Sequence, residues 1–300
     1  MKRSAIIRII VFSLIILMLG WVLAAGIARQ NRTAIALDLP SSTKTSGKIA
    51  PSVPGPPAAD SDTPPVSQTA SQGITELEID WVSGSVTVQP GDTDGICYAE
   101  TGSFDSKYAM EVTETAHKLK IDFCREGVSK GLSFSGGSSV RKDLTVTVPR
   151  DWVCQALTVE TVSAPVKLSD LTAEELEYEG VSGTLTADNC TAAELSLDTV
   201  SGSVQFSGAF DRGEFETTSG SITLTLSDPA KTMEIDSVSG GVTVAYPDNC
   251  GFTVRFDTVS GKFSSDLAGT TRSNLFVSGD GSCQIRMDSV SGGLNIRKKG

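Results

Sequence analysis

Acidic residues recur three positions before a serine, and a regular row of carboxylates could bind a cation. The acidic positions are Asp80, Glu160, Glu179, Asp198, Glu216, Asp236, Asp257 and Asp288. If the repeats stack as parallel strands, neighbouring carboxylates lie about 4.8 Å apart and repel each other by about 1 kcal/mol in water. Hard cations such as Ca²⁺ prefer oxygen ligands. The sequence therefore allows a cation column, for which the candidate metal ligands are Asp198, Asp236, Asp257 and Asp288.

A structural role for the same carboxylates is the preferred interpretation. Each carboxylate could accept hydrogen bonds from its own turn, as Asp commonly does beside Ser and Thr. The Gly-Gly-x-Gly-x-Asp nonapeptide of calcium-binding β-rolls is absent from the sequence. Apart from Ca²⁺, no cofactor is expected.

The recurring serines do not form a convincing set of nucleophiles. A catalytic serine needs a base within hydrogen-bonding distance, and His117 is the only histidine. Trp81 and Trp152 are interpreted as packing residues, and the carboxylates follow the repeat without clustering beside them. The sequence therefore predicts that the protein is not an enzyme and has no catalytic residues, and a carbohydrate-active β-helix enzyme is the least favoured alternative.

One repeat positions these residues. Its shared pattern is apolar-x-apolar-[Asp/Glu]-x-Val-Ser-Gly-x-apolar-x-apolar, as in LSLDTVSGSVQF (195–206) and MEIDSVSGGVTV (233–244). Alternation on both sides of Ser-Gly indicates two short strands joined at a corner, where glycine can adopt positive φ. The unit cannot bury its apolar face alone, so units stack. We predict an all-β fold, a parallel β-solenoid or β-helix of about seven to eight coils. Its inward pairs include Leu195/Leu197, Val204/Phe206, Met233/Ile235 and Val242/Val244.

The rhythm of the repeat divides residues 73–298 into two segments. Residues 73–150 contain the first repeat and then alternating runs, with a hairpin expected over 109–124 and a flexible loop over 131–139. We expect this segment to cap the N-terminal end of the stack, where an open strand edge would invite aggregation. Residues 151–298 hold the dense repeats, and Gly279-Asp280-Gly281 suggests a turn of an added hairpin before the final coil.

The N-terminus predicts a membrane anchor. Residues 9–28 are apolar over a length that spans a bilayer, and Lys2, Arg3 and Arg8 precede them. This indicates a single-pass protein of the cell membrane, with residues 1–28 as cytoplasmic tip and anchor and residues 29–300 extracytoplasmic. A cleaved signal peptide is the alternative. Residues 29–72 are rich in Pro, Ser and Thr and predict a disordered linker.

Charge excludes one class of partner. The formal net charge is −11, and the first 72 residues are net positive, so the acidic excess lies in residues 73–300. Such a domain repels nucleic acid, and no nucleic-acid partner is expected. The membrane through residues 9–28 and a wall, host-surface or membrane-protein partner are the expected contacts.

The six cysteines fit no metal-binding spacing. Cys250 and Cys283 could lie in adjacent coils, and Cys97 and Cys124 could meet if strands 96–101 and 118–124 pair. Cys154 and Cys190 are two coils apart, beyond disulfide reach. Buried free thiols are the equally weighted alternative.

The repeated [Asp/Glu]-x-Val-Ser-Gly blocks, the LTVTVPRDW run (144–152) and Gly279-Asp280-Gly281 resemble the DUF4097 family of candidate adhesins over residues 74–298. The resemblance implies a β-solenoid-like fold, frequent membrane tethering and no established catalytic residues. Departures occur at Ser163-Ala164-Pro165, which puts that corner's geometry in doubt, and at Thr218. The implied function is an adhesin-like surface interaction module. The alternative is an accessory sensor or regulator of a bacterial envelope-stress system.

Overall fold

The computed structural model describes residues 67–125, 140–247 and 250–299. Within these ranges the chain forms strands and one 3₁₀ turn, Ser106–Tyr108. The strands are β1 (Gln68–Thr69), β2 (Glu76–Trp81), β3 (Gly84–Gly91), β4 (Cys97–Thr101), β5 (Glu111–Glu114), β6 (Lys118–Asp122), β7 (Lys142–Pro149), β8 (Cys154–Thr161), β9 (Val166–Ser169), β10 (Thr172–Gly180), β11 (Leu185–Thr199), β12 (Ser203–Thr217), β13 (Ser221–Leu226), β14 (Thr232–Ser237), β15 (Val242–Tyr246), β16 (Phe252–Thr258), β17 (Phe263–Ser265), β18 (Thr270–Arg272), β19 (Leu275–Ser278), β20 (Cys283–Ser289) and β21 (Leu294–Lys298).

Several predictions from the sequence lie outside these residues. They are the anchor at 9–28, the linker up to residue 66 and the glycine-rich loop at 131–139. Within the described part of the chain, no helix has the length and apolar character needed to cross a membrane. Residues 67–72, which the composition assigns to the linker, are described. Gln68–Thr69 pair antiparallel with β4, and Ala70 is buried.

The predicted inward pairs form the core. All eight side chains of the pairs 195/197, 204/206, 233/235 and 242/244 are at most 2% exposed. Their neighbours in sequence, such as Ser196 and Glu234, point outward because successive side chains of a strand alternate between its two faces. The alternation of the repeat thus places one apolar row from each strand inside the stack.

The strands that precede the Ser-Gly corners form the first sheet, in which neighbours are parallel. Their spatial order is β6, β2, β8, β10, the C-terminal part of β11, the C-terminal part of β12, β14, β20 and β16. The strands that follow the corners form the second sheet in the matching order β7, β3, β9, β11, β12, β13, β15, β21 and β17. We call one strand of each sheet joined by a corner a level. The described residues contain eight such levels, in agreement with the predicted seven to eight coils, and β6 and β7 add a ninth strand to each sheet.

The order of levels departs from chain order at both ends. At the C-terminal end, β20 lies between β14 and β16, so the last repeat of the sequence is inserted inside the one that precedes it. The reason is that β19 pairs antiparallel with the outer edge of β16, which leaves only the inner edge for β20. At the other end, β2 lies between β6 and β8. The repeats therefore do not stack in chain order at these two places.

Antiparallel strands and aromatic rings close the ends of the stack. The expected hairpin over 109–124 is confirmed, because β5 pairs antiparallel with β6. Strand β4 pairs antiparallel with β7 in the second sheet. At the opposite end, the hairpin of β18 and β19 brings Phe276 within 5.2 Å of Phe263 and 5.9 Å of Phe252, measured between ring centroids. These additions protect edges that would otherwise accept another strand.

Candidate functional site

The corner serines lie in a continuous ladder and are engaged with the backbone. Seven of the eight serines donate from both the backbone N–H and the hydroxyl to one carbonyl of the adjacent level, and Ser83 donates from its hydroxyl. Ser201, for example, bonds Val181 O at 2.9 Å from N and 3.1 Å from Oγ. The hydroxyl bonds run from Ser83 to Val140, Ser163 to Val82, Ser182 to Val162, Ser201 to Val181, Ser219 to Val200, Ser239 to Thr218, Ser291 to Val238 and Ser260 to Val290. The alignment of the Ser-Gly pairs in one row is therefore confirmed.

Close packing, more than backbone conformation, explains the corner glycines. Of the seven Ser-Gly corners, only Gly84 has a positive φ, of 98°. At Gly202 and Gly220, an added Cβ would overlap the carbonyl oxygen of the corner residue in the level below. The expected reason, positive φ, is thus wrong for most corners. At the departure Ser163-Ala164, the serine keeps both bonds to Val82 O and Ala164 is fully buried, so the corner retains its hydrogen bonding.

The acidic residues of the repeat are in register across the first sheet, and we call them the carboxylate row. In spatial order the row is Asp122, Asp80, Glu160, Glu179, Asp198, Glu216, Asp236, Asp288 and Asp257. Asp122 was missed by the sequence reasoning because no Val-Ser-Gly follows it, although the alternation of Lys118–Asp122 is a signal that could have identified its strand. Asp288 stands between Asp236 and Asp257, and not at the end of the row.

The centre of the row is short of positive charge. Asp198 is only 8% exposed, and its Oδ1 has no hydrogen-bond partner among the described residues. Burial, together with the carboxylates of Glu216 and Glu179, raises the pKa of Asp198 to about 8. Burial and the neighbouring Glu160 and Glu177 raise the pKa of Glu179 to about 7. Burial also raises the pKa of Glu160. These groups hold protons at pH values where ordinary carboxyls have lost them.

The two ends of the row have basic partners. At one end Lys120 lies 2.7 Å from Glu78 and 3.5 Å from Asp122. At the other end Arg286 lies 2.8 Å from Asp288, and hydrogen bonds from Asn274 and Arg255 lower the pKa of Asp257. The row therefore changes character along the stack, from paired carboxylates at both ends to carboxylates that face one another in the middle.

The structure distributes the four candidate metal ligands along the row. Asp236 and Asp288 are partners in register, as are Asp288 and Asp257, whereas Asp198 stands two strands from Asp236. Across residues 67–125, 140–247 and 250–299, no three His, Cys, Asp or Glu side chains converge where they could hold a metal ion. The four-aspartate column stays a prediction.

His117 and the tryptophans occupy structural positions. His117 is exposed in the turn between β5 and β6, and its Nδ1 lies 3.4 Å from Gly73 O. Trp81 is fully buried, donates to Lys142 O at 2.9 Å and packs edge-on against Phe123. Trp152 donates to Ile74 O at 2.7 Å.

A buried lysine was not foreseen from the sequence. Lys142 Nζ is within 2.6 Å of Glu100 Oε2 and 2.5 Å of Tyr108 O, and its side chain is completely buried. The ammonium group lies 4.9 Å from the ring centroid of Trp81 and 4.5 Å from that of Phe123. Burial lowers the pKa of Lys142, against the opposing effect of Glu100. This arrangement ties the segment around the 3₁₀ turn to the end of the stack.

The structure contains neither of the two disulfides that the sequence allowed. No disulfide joins any of the six cysteines, all of which lie among the described residues. Strand β4 pairs with β1 and β7 and not with β6, so the strand pairing required for Cys97–Cys124 is absent. Strands β16 and β20 are neighbours, and Cys283 lies opposite Phe252 in their ladder. Phe252 follows Cys250 by two residues in the sequence. Burial raises the pKa of Cys154 to about 12 and that of Cys190 to about 11, which makes both thiols poor nucleophiles.

The second sheet presents a different surface. Its central outward positions run in register through Thr145, Thr87, Lys167, Thr186, Gln205, Thr223, Thr243, Asn295 and Ser264. Eight of these nine side chains are neutral and polar. One sheet therefore presents a carboxylate row, while the other presents a row of hydroxyl and amide groups.

Comparison with known protein families identifies the repeat. The Toastrack DUF4097 family matches residues 74–210 and 166–297, which together span most of the chain. The chain belongs to the DUF4097 family. The resemblance seen in the Val-Ser-Gly blocks is thereby confirmed. No curated protein matches the chain significantly.

Several solved structures are similar to this chain at low sequence identity. A candidate adhesin from Bacteroides fragilis is 14% identical, with a TM-score of 0.50, and the match covers 79% of this chain and 98% of that one. A candidate lipid-binding protein from Parabacteroides distasonis is 15% identical over the same shares, with a TM-score of 0.49. A candidate cell adhesion protein from Clostridium sporogenes is 11% identical with a TM-score of 0.38, covering 79% of this chain and all of that one. The Bacteroides structure supports an all-β, solenoid-like DUF4097 fold.

Proposed function

We propose that this protein is a membrane-anchored, extracytoplasmic, adhesin-like module without enzymatic activity, which binds a partner through its sheet surfaces. The observation that carries the proposal is the continuous two-sheet stack, because the nine strands of each sheet present regular outward rows over about 38 Å at ordinary strand spacing. A surface of this kind suits recognition of an extended or repetitive partner.

Membership of the family and the fold shared with a candidate adhesin support this function. The engagement of every corner serine hydroxyl with a backbone carbonyl supports a non-enzymatic role, because these hydroxyls donate to the backbone and not to a catalytic base. The apolar residues 9–28 and the basic residues before them support an anchor with residues 29–300 outside the cytoplasm.

The location is tested by fractionating cells that produce the full chain and treating intact cells with an added protease. We expect the full chain in the membrane fraction and its repeats to be degraded or shed without lysis. Recovery of an intact, protease-protected chain from the cytosol would refute the proposed location.

The interaction is tested by crosslinking the full chain in cells and comparing two triple variants. E177Q/E214Q/E234Q neutralises outward acids of the first sheet, and T186V/T223V/T243V removes hydroxyls at matched levels of the second sheet. Loss of a crosslinked partner in one variant and its retention in the other identifies the binding sheet. A membrane-protein partner would favour the accessory sensor role, whereas wall glycan or a host ligand favours adhesion. Cleavage of a polysaccharide by the purified chain would contradict the non-enzymatic assignment.

A further inference from the structure

The central carboxylate row contains a buried oxygen atom that lacks a partner. Asp198 is 8% exposed, and its Oδ1 accepts no hydrogen bond from the described residues. A buried carboxylate oxygen without a donor is costly, since burial removes the water that would otherwise solvate it. Something positively charged or hydrogen-bonding is therefore expected at this atom.

The surroundings of Asp198 are acidic on both sides. It lies on β11 between β10, which contributes Glu177 and Glu179, and β12, which contributes Glu214 and Glu216. On its own strand, Glu194 is paired with Arg212 at 3.4 Å, and both groups are exposed. The electrostatic neighbours that raise the pKa of Asp198 are all carboxylates.

Glu179 is placed to share a ligand with Asp198. The two residues are partners in register on adjacent parallel strands, about 4.8 Å apart at ordinary strand spacing. Glu179 is half-buried, so part of its side chain meets solvent beside the buried Asp198. Two carboxylates at this separation can both reach a metal ion at the 2.0–2.6 Å typical of Mg²⁺ and Ca²⁺.

We propose that Glu179 and Asp198 form a binding site for one hydrated hard divalent cation, Mg²⁺ or Ca²⁺, with Asp198 Oδ1 as the inner ligand. A site with two carboxylates and several waters does not require a third converging side chain, and Mg²⁺ is commonly held by one or two carboxylates. The cation offsets the repulsion that the in-register row creates at its centre. This inference is independent of the proposed adhesive function.

The site differs from the four-aspartate column suggested by the sequence. Asp257 and Asp288 already have arginine partners, at 3.0 Å and 2.8 Å respectively, and thus have little need of a cation. Glu179 was not among the candidate ligands, because only burial distinguishes it from the other acids of the repeat. The need for positive charge is concentrated where the row is most buried.

The test measures the melting temperature of the full chain in detergent at about pH 8. The chain is measured first with a chelator and then with MgCl₂ or CaCl₂ up to about 10 mM, a concentration on the order of extracellular levels. NaCl at equal ionic strength is the control for general screening. We expect a saturable rise on the order of 5 °C with at least one of the two divalent ions and little effect of NaCl.

Two variants make the test specific. Asp198→Asn removes the inner ligand's charge and should abolish the divalent-dependent rise, which would support the site. Glu194→Gln changes an exposed carboxylate on the same strand and should retain the rise. Isothermal titration of the wild-type and D198N chains with the same salts measures binding directly, without depending on thermal stability.

Three outcomes would overturn the proposal. One is a melting temperature that responds to neither divalent ion. Another is a response that D198N retains in full, since binding would then occur elsewhere. The third is a wild-type chain that acid stabilises while titration shows no divalent binding, because protons alone would then satisfy the row.

Discussion

The corner glycines provide a sharp test of how the levels are packed. Gly240 and Gly241 are adjacent in one corner but differ in their surroundings. A Cβ added at Gly240 would overlap the carbonyl oxygen of Gly220 and lie 2.7 Å from Thr217 Cγ2, whereas a Cβ at Gly241 would meet nothing within 4 Å. The variants Gly240→Ala and Gly241→Ala therefore add the same methyl group one residue apart.

The two substitutions are expected to change the stability of the protein in opposite directions. Overlap with backbone cannot be relieved by a side-chain rotation, so G240A must separate two levels. Forcing extra volume into packed structure costs about 1–3 kcal/mol. Distorting the bond from Ser237 Oγ to Gly240 O, which is 2.7 Å long, costs about 1 kcal/mol more. G241A should instead stabilise the protein by about 0.4–1 kcal/mol, because alanine restricts the unfolded chain.

The assay is thermal unfolding of the full chain, followed by circular dichroism. For a domain of this size, 1 kcal/mol corresponds to about 2–4 °C, so a loss near 3 kcal/mol lowers the melting temperature of G240A by about 6–12 °C. G241A should melt at or slightly above the wild-type temperature. If the two variants melted within about 1 °C of each other, the close approach between corners would be refuted as the reason for glycine at this position.

Three further predictions concern the buried polar groups. Lys142→Met should destabilise the protein by about 3–5 kcal/mol in urea unfolding, because it leaves Glu100 without its buried partner, and K142M/E100L should recover much of this loss. If K142M alone unfolded within about 1 kcal/mol of wild type, the pair would not be important for stability. With a chelator present, the free energy of unfolding of the wild-type chain should fall as the pH rises from about 4 to about 8. Asp198 and Glu179 have raised pKa values, so the folded state holds protons that the unfolded state has released. D198N should reduce the slope of this free energy against pH by up to about 1.4 kcal/mol per pH unit, and an unchanged slope would show that Asp198 does not hold the proton. Ser201→Ala should cost only about 0.5–1.5 kcal/mol in the same urea assay, since the backbone N–H keeps the shared carbonyl, and a larger loss would mean that the hydroxyl does more than the ladder shows.

The local unit could be predicted from the residues. Period-2 alternation identified the buried side chains, as at Leu195 and Leu197, because a strand has no other way to place its apolar residues on one side. The Ser-Gly pairs predicted the corners. Because each acidic residue lies three positions before its corner serine, the sequence also predicted that the acids share one row. Each of these follows from short-range geometry that repeats with the sequence.

The reason for glycine at the corners could not be read from the chain. Positive φ was a sound expectation, yet Gly202 and Gly220 are required by the carbonyl oxygen of a neighbouring level. That neighbour is about 19 residues away in sequence, and no local pattern reports its distance. Lys142 is similar, since its burial beside Glu100 depends on a segment 42 residues earlier folding back over the end of the stack.

The order of the levels was also decided by tertiary pairing. The pattern of each repeat specifies which side chains face inward, but every level presents the same kind of edge, so the pattern does not specify which strand lies beside which. Antiparallel β19 occupies the outer edge of β16 and thereby directs β20 to the inner edge. The same stacking buries Asp198 at the centre while the ends of the row find basic partners, because burial and charge pairing depend on the neighbours above and below and not on the repeat itself.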